Sequence, residues 1–297
     1  DYSLPKVTAS LTALPNHEPL LGEQLHNMVM IPGSGEFVYE TQVVHNQRVA
    51  SATSKYYPIG SAEYANSHHP GYIGTKSNAL VSLGQMKNTC PNLQWVSPVV
   101  NWFGTSNKLS ECSILPGVEH QFDVATKPYS WQVAGKNRYT SYLISGGDKG
   151  SPTYGGTPAD TSVLSLLGEL RNRNYKIMFY PMFLMDTKLK PWRGRLTGLS
   201  EQVPSFFHKR GGYREFILHY AELVKGKVDA FLIGSELIGL TTITNGKGIF
   251  PAVEELISLA KEVRAIMGPE VKLSYAADWS EYHHTEGGWH HLDPLWA

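Results

Sequence analysis

The stretch VDAFLIGSE, residues 228–236, decides how the rest of the chain is read. Apart from Asp229, Val228 to Gly234 is apolar on both faces, with no alternation of polar and apolar positions. A strand of that kind belongs in a sheet covered on both sides. It is preceded by a helical pattern carrying Tyr213, Phe216, Ile217, Tyr220 and Val224. It is followed by another carrying Val253, Leu256, Ile257, Ala260 and Val263, which Gly268 and Pro269 end before the strand Val271 to Ala277. Upstream, Val163, Leu166, Leu167 and Leu170 form the same helical face ahead of Ile177 to Leu184. Thr157 is read as the cap of that helix, with Pro158 at its first position and Asp160 in its first turn.

Three helix-then-strand units in succession predict an α/β protein with a parallel sheet and right-handed crossovers, of the TIM-barrel type. A fourth strand lies in the run Leu93 to Phe103, after a helical pattern from Lys76 that places Leu80, Leu83 and Met86 on one face. Pro98 within that run predicts a bulge or an edge position. Four strong strands, near 96, 177, 229 and 271, fall short of the eight that a closed barrel needs. Either the N-terminal strands contribute or the barrel is incomplete in this chain. Residues 1–73, rich in Pro, Gly, Asn, Ser and His, read as a lead-in of short strands and loops, with one strand-like alternation from Glu36 to Val44. The barrel domain then spans 74–297, with a β-rich insertion at about 106–148 on the loop after the first strand. Starting at Asp1 and stopping at Ala297, the chain reads as a piece of a longer protein.

The 297 residues are 41% hydrophobic, and 26 Lys and Arg balance 26 Asp and Glu with no run of like charge. Such a surface does not point to nucleic acid. No apolar stretch approaches the roughly 20 residues that span a bilayer, so membrane insertion is not expected. Cys90 and Cys112 fit neither a zinc framework nor a disulfide scaffold. A nucleophile elbow, a phosphate-binding glycine loop and a dinucleotide fingerprint are all missing, which removes the main support for serine hydrolases, nucleotidases and dehydrogenases. No cofactor is implied.

In a TIM barrel the site forms where the strands end. That singles out Asn101 and Trp102 after the first run, Asp186 after the second, Glu236 after the third, and Asp278, Trp279, Glu281 and Tyr282 after the fourth. A carboxylate at a strand end among apolar residues is desolvated in its charged form, which suits a proton donor. Glu236 meets that description best; the competing reading is pairing with a nearby Lys or Arg, or capping of the next turn. Glycoside hydrolysis needs a second carboxyl group, for which Asp278 and Glu281 are the candidates, or else they are loop acids. Trp102, Tyr180, Trp192, Trp279, Tyr282, Trp289 and Trp296 offer ring faces on which a sugar stacks, with plain core as the alternative for most of them. Arg193 and Arg195, beside Trp192, either grip an anionic ligand or, the favoured reading, pair with Asp186 or Glu201. His283, His284, Glu286, His290, His291 and Asp293 lack a recognised metal spacing, and no metal site is assigned to them.

Seven stretches together carry a resemblance: VVNWFG (99–104), YGGTPADTSV (154–163), KIMFYPMFLMD (176–186), PWRGRLTG (191–198), DAFLIGSELIGLT (229–241), YAADWSEYH (275–283) and HLDPLWA (291–297). From about residue 30 onward the chain resembles the TIM-barrel-like domain of gene transfer agent and phage tail proteins. The resemblance implies a barrel related to the glycoside hydrolase clan that uses two glutamates. It implies a tail-like particle as the setting, a cell-surface or cell-wall glycan as partner, and other phage-tail-like proteins as neighbours. The segment ending in Glu236 is similar to the strand bearing that clan's acid/base, with Ser235 where the clan usually has Asn. The clan's nucleophile is implied on a later strand than this chain contains, which would leave Asp278 and Glu281 as cleft residues.

Overall fold

The computed structural model describes residues 20–33, 35–48, 56–58, 76–122, 124–147, 152–246, 248–282, 285–286 and 289–297. Five parallel strands form its central sheet: β1 (Asn27–Met30), β2 (Trp95–Gly104), β3 (Lys176–Met185), β4 (Ala230–Ser235) and β5 (Lys272–Ala276), adjacent in that order. Helices α1 (Asn78–Thr89), α2 (Asp160–Asn172), α3 (Tyr213–Leu223) and α4 (Pro251–Met267) precede β2, β3, β4 and β5. Sequence order equals spatial order and every pairing between these strands is parallel, so the sheet is a partial TIM-barrel-like fold.

The strand count therefore changes from four to five. β1 escapes a reading by pattern because it is four residues long and only half-buried. With β1 included, Glu236 follows the fourth strand rather than the third. The alternation from Glu36 to Val44 does not make a strand: residues 36–39 form a turn, and the next strand is His45–Arg48. Pro98 produces neither a bulge nor an edge, since β2 lies between β1 and β3. The β2–β3 ladder skips positions 97 and 98 and resumes at Tyr180↔Val99 with the offset of Ile177↔Val96, so the missing N–H leaves a gap without a shift.

Two faces of the sheet differ. Phe179 and Phe183 of β3 point outward and pack on Tyr220 and Tyr213, and Trp102 of β2 packs on Phe216, His219 and Tyr220. On the inner face of β3, Met178, Tyr180, Met182 and Leu184 are half-buried. Thr157 is not the cap of α2; its hydroxyl accepts from Gly117 N–H (3.0 Å), and Ala159 occupies the cap position. Asp160 instead bridges to Ala134 N–H and His219.

Within the stretch expected as an insertion lie short strands, including Ile114–Leu115, Gly117–Val118, Val124–Lys127 and Tyr142–Leu143. Two carboxylates from the barrel hold this stretch over the ends of β2 and β3. Glu36 accepts two bonds from Arg138 (2.8 and 2.5 Å) and one from Glu119 N–H (3.0 Å). Asp186 accepts from Tyr142 Oη (2.9 Å), Ser145 N–H (2.7 Å) and Lys190. Burial pushes the Asp186 carboxyl up, but Lys190, Ser145 N–H and the Tyr142 hydroxyl together outweigh it and hold its pKa below the ordinary value.

Glu119 goes the other way, raised by burial and then by the neighbouring Glu36. Its charged form is the disfavoured one in the fold. Stability is thus unpenalised below the ordinary carboxylate range and falls as pH rises through the raised value. Glu119→Gln, which can keep the acceptor for Gly156 N–H, is expected to raise the thermal midpoint at neutral pH. It should change little in acid. A melting series across pH checks this, and equal midpoints for both proteins at neutral pH would contradict it.

Candidate functional site

Glu236 stands at the C-terminal end of β4 and is held there by its own backbone. Its N–H donates to Ala276 O (2.9 Å), so the ladder to β5 continues through it. The β4–β5 register shifts between Leu232 and Ser235, which turns the Ser235 hydroxyl inward to meet Tyr180 Oη at 2.5 Å. Glu236 has φ of +54°, a left-handed conformation that side chains other than Gly and Asn adopt at a cost.

Its side chain is about one-third exposed (34%), and Oε2 accepts a hydrogen bond from Trp192 Nε1 at 2.8 Å and forms an ion pair with the Arg193 guanidinium at 2.6 Å. Arg193 is itself buried and fixed by two further bonds, Nε to Ser235 O (2.9 Å) and Nη2 to Ser235 Oγ (2.8 Å). Two glycines allow this approach. A Cβ on Gly194 would stand 2.4 Å from the Trp192 ring, and one on Gly239 would stand 2.3 Å from Leu196 O. Only bare backbone lets the Arg193–Arg195 turn lie against the short helix Ile238–Thr241 that follows Glu236.

The favoured pairing of the arginines with Asp186 or Glu201 is thus corrected: Arg193 pairs with Glu236, and Asp186 with Lys190. Arg195 is exposed. The pairing of Glu236 with a nearby Arg, the competing reading of that residue, is present.

The other expected residues divide into three groups. Trp192, Trp279 and Tyr282 are exposed (38%, 81% and 57%), the last two on the short helix Trp279–Tyr282 just beyond β5. Tyr180 and Asp278 are half-buried. Asp278 accepts from the Ser280 hydroxyl and, at 3.0 Å, from Ser280 N–H; these bonds, the hydroxyl first, hold its carboxyl below the usual range. It caps the short helix.

Trp102, Asn101, Asp186 and Glu281 are buried. Trp102 lies in the core, its Nε1 donating to Tyr220 Oη (3.1 Å), so its ring faces no cleft. Asn101 is fully buried on the inner side of β2, and neither amide atom meets a partner among the described residues. The Glu281 carboxylate accepts from Tyr275 Oη (2.7 Å) and Thr241 Oγ1 (2.6 Å) at Oε1, and from Asp278 N–H (3.3 Å) at Oε2. Burial raises its pKa against the pull of those donors. Burial, followed by the charge of Glu281, raises that of Tyr275.

His283 and His284 lie outside the described residues, as do the side chains of Trp289, Glu286 and His290. Among the described residues no group of three His, Cys, Asp or Glu could hold a metal ion, and no helix is long and apolar enough to cross a membrane. Sequence reasoning missed Arg193 as the partner of Glu236, and with it Thr241, Tyr275 and His291. Their positions, up to 50 residues apart in their bonded pairs, carry no local spacing signal.

Residues 211–297 match the GTA TIM-barrel-like domain, a stretch that includes Glu236, β5 and the short helices Trp279–Tyr282 and Asp293–Trp296. No curated protein sequence matches the chain. Among solved structures, it is similar to a GH113 beta-mannanase from Alicyclobacillus acidocaldarius in complex with ManMIm, with 15% identity and TM-score 0.37. That likeness covers 64% of this chain and 46% of the other. Two structures of a GH113 beta-1,4-mannanase, one a complex, give 13% and 14% identity and TM-scores of 0.40 and 0.39, each covering 68% of this chain and 50% of the other. The chain spans about half the length of these structures.

Proposed function

We propose that this chain is the glycan-recognising part of a gene-transfer-agent-like or phage-tail-like protein. It binds a cell-surface or cell-wall glycan at the mouth of β4 and, in the full-length protein, cleaves it with Glu236 as general acid. The stretch 1–73 read as a lead-in gives its strand β1 to the barrel, so the barrel domain would run from about Asn27 to 297, with 106–148 inserted, working beside other tail-like proteins in a particle.

The observation that carries the reading is the placement of Glu236. It is a partly exposed carboxylate at a strand's C-terminal end, held in an unfavourable backbone conformation, with Oε2 fixed by the Trp192 donor and the Arg193 ion pair and no donor to Oε1 among the described residues. Exposed rings at Trp192, Trp279 and Tyr282 supply the apolar faces that sugar C–H groups seek. Asp278 and Glu281 contribute to the shape of the region, the first through a helix cap and the second from behind Tyr275.

A second reading, a non-catalytic structural or adhesive tail module on the barrel scaffold, is favoured by one observation: Glu281 is wholly buried, so it does not face the opening beside Glu236. Both readings are tested on full-length protein with a panel of envelope glycans. The hydrolase reading expects Glu236→Gln to lower turnover by about 10²–10⁴-fold, with binding largely kept. The adhesive reading expects binding without turnover in either protein. If the protein neither binds nor cleaves any glycan and Glu236→Gln changes nothing, the hydrolase and adhesive readings fail and the structural one stands.

A further inference from the structure

Behind Glu236 runs a buried chain of polar groups that the proposed chemistry does not use. Leu237 N–H, the first donor after Glu236, meets Tyr275 Oη at 2.8 Å. The Tyr275 hydroxyl gives its own proton to Glu281 Oε1 (2.7 Å), which also accepts from Thr241 Oγ1 (2.6 Å). His291 Nε2 lies 3.2 Å from Thr241 Oγ1. Proton bookkeeping fixes the direction of every bond. Thr241 has a single proton, and it is committed to Glu281, so His291 Nε2 is the donor to Thr241. Glu281 receives three donors and donates to none, which is an arrangement for a carboxylate.

One end of the chain is therefore oriented and the other is strained. With its proton directed at Glu281, Tyr275 Oη turns a lone pair to Leu237 N–H. Leu237 N–H belongs to the peptide that leaves Glu236 at φ +54°, the conformation that aims the Glu236 side chain at Trp192 and Arg193. Without an acceptor that buried N–H would be orphaned, and the turn would lose the bond that favours it.

We propose that Tyr275, Glu281 and Thr241 are positioning residues for Glu236: a buried hydrogen-bond relay, anchored on a carboxylate, that holds the left-handed turn from beneath. This rests on Glu236 being the working residue of the site, but the relay itself is read without any ligand. Tyr275, Glu281 and Thr241 come from β5, the short helix beyond it and the short helix after β4, so the relay also ties the ends of two strands together.

The test uses amide hydrogen exchange in full-length protein, comparing Leu237 with Glu236, whose own N–H goes to Ala276 O in the sheet ladder. Thr241→Val and Glu281→Gln touch neither amide. Each is expected to speed exchange at Leu237 tenfold or more while leaving Glu236 within about twofold, and Thr241→Ser, which restores the hydroxyl, is expected to restore protection. If both amides accelerate together, the residues serve general stability and the proposal is overturned. It is equally overturned if Leu237 stays protected in both variants. Should Glu281→Gln fail to fold, Thr241→Val and Thr241→Ser decide alone. Glycan binding measured on the same variants should fall wherever Leu237 loses protection. A wild-type protein that protects Leu237 yet binds no glycan counts against the site's function and leaves the relay standing, whereas an unprotected Leu237 in the wild type overturns the relay.

Discussion

Glu36→Ala is expected to destabilise the protein by about 3–5 kcal/mol, because it removes one partner of a buried ion pair and leaves the other charged and enclosed. The side chains of Arg138 and Glu36 are 6% and 3% exposed, and after the substitution Arg138 keeps only His120 O as a hydrogen-bond acceptor among the described residues. Glu119 N–H would also lose its acceptor. Chemical denaturation at neutral pH reads this as a lower midpoint with an unchanged slope. Replacing both partners by apolar residues, as in Glu36→Leu with Arg138→Met, is expected to recover much of the loss, since no charge then remains buried. A loss under about 1 kcal/mol in the single variant would show that Arg138 reaches solvent by a small rearrangement, and that the pair does not hold residues 114–147 in place.

Trp102→Ala is expected to cost a similar amount, about 3–5 kcal/mol, for a different reason. The ring is 1% exposed and packs on Phe216, His219 and Tyr220 of α3, so its removal opens a cavity between sheet and helix and strands the Tyr220 hydroxyl. Trp192→Ala supplies the contrast, because that ring is 38% exposed and bonded to Glu236. Its effect should appear in glycan binding far more than in stability. The pair of variants is read by denaturation and by binding side by side. If Trp102→Ala weakened glycan binding while the midpoint held, the placement of that ring in the core would be contradicted.

The two tryptophans show what a sequence reveals and what it withholds. Strands β3 and β4 and the helices before them stand out because burial on a helix recurs at three to four residues and a doubly covered strand is continuously apolar, whereas β5 alternates, with Lys272 and Ser274 exposed. The position of Glu236 follows, since a strand end is readable. What a linear pattern does not contain is which face of a strand a residue occupies when both faces are apolar. Trp102 falls on the outward parity of β2 and Asn101 on the inward one, and only contacts with α3 decide between them. β1 is short and half-exposed, so no burial pattern announces it. The pairing of Arg193 with Glu236 crosses 43 positions and depends on Gly194 and Gly239 letting two backbones meet, a matter of close approach rather than of periodicity.

The left-handed turn at Glu236 has a consequence for how this site can change over time. At φ +54° the backbone is most at ease with glycine or asparagine, and a glutamate there stands roughly 1 kcal/mol or more uphill. Random substitution at this position therefore has a downhill direction, toward residues that carry no acid. A chain that merely needed the turn would drift that way, since the fold alone rewards the loss of the carboxylate. Glutamate here is a residue held against the preference of its own backbone, so its presence is informative about what the site is used for in a way that a glutamate in an ordinary strand would not be.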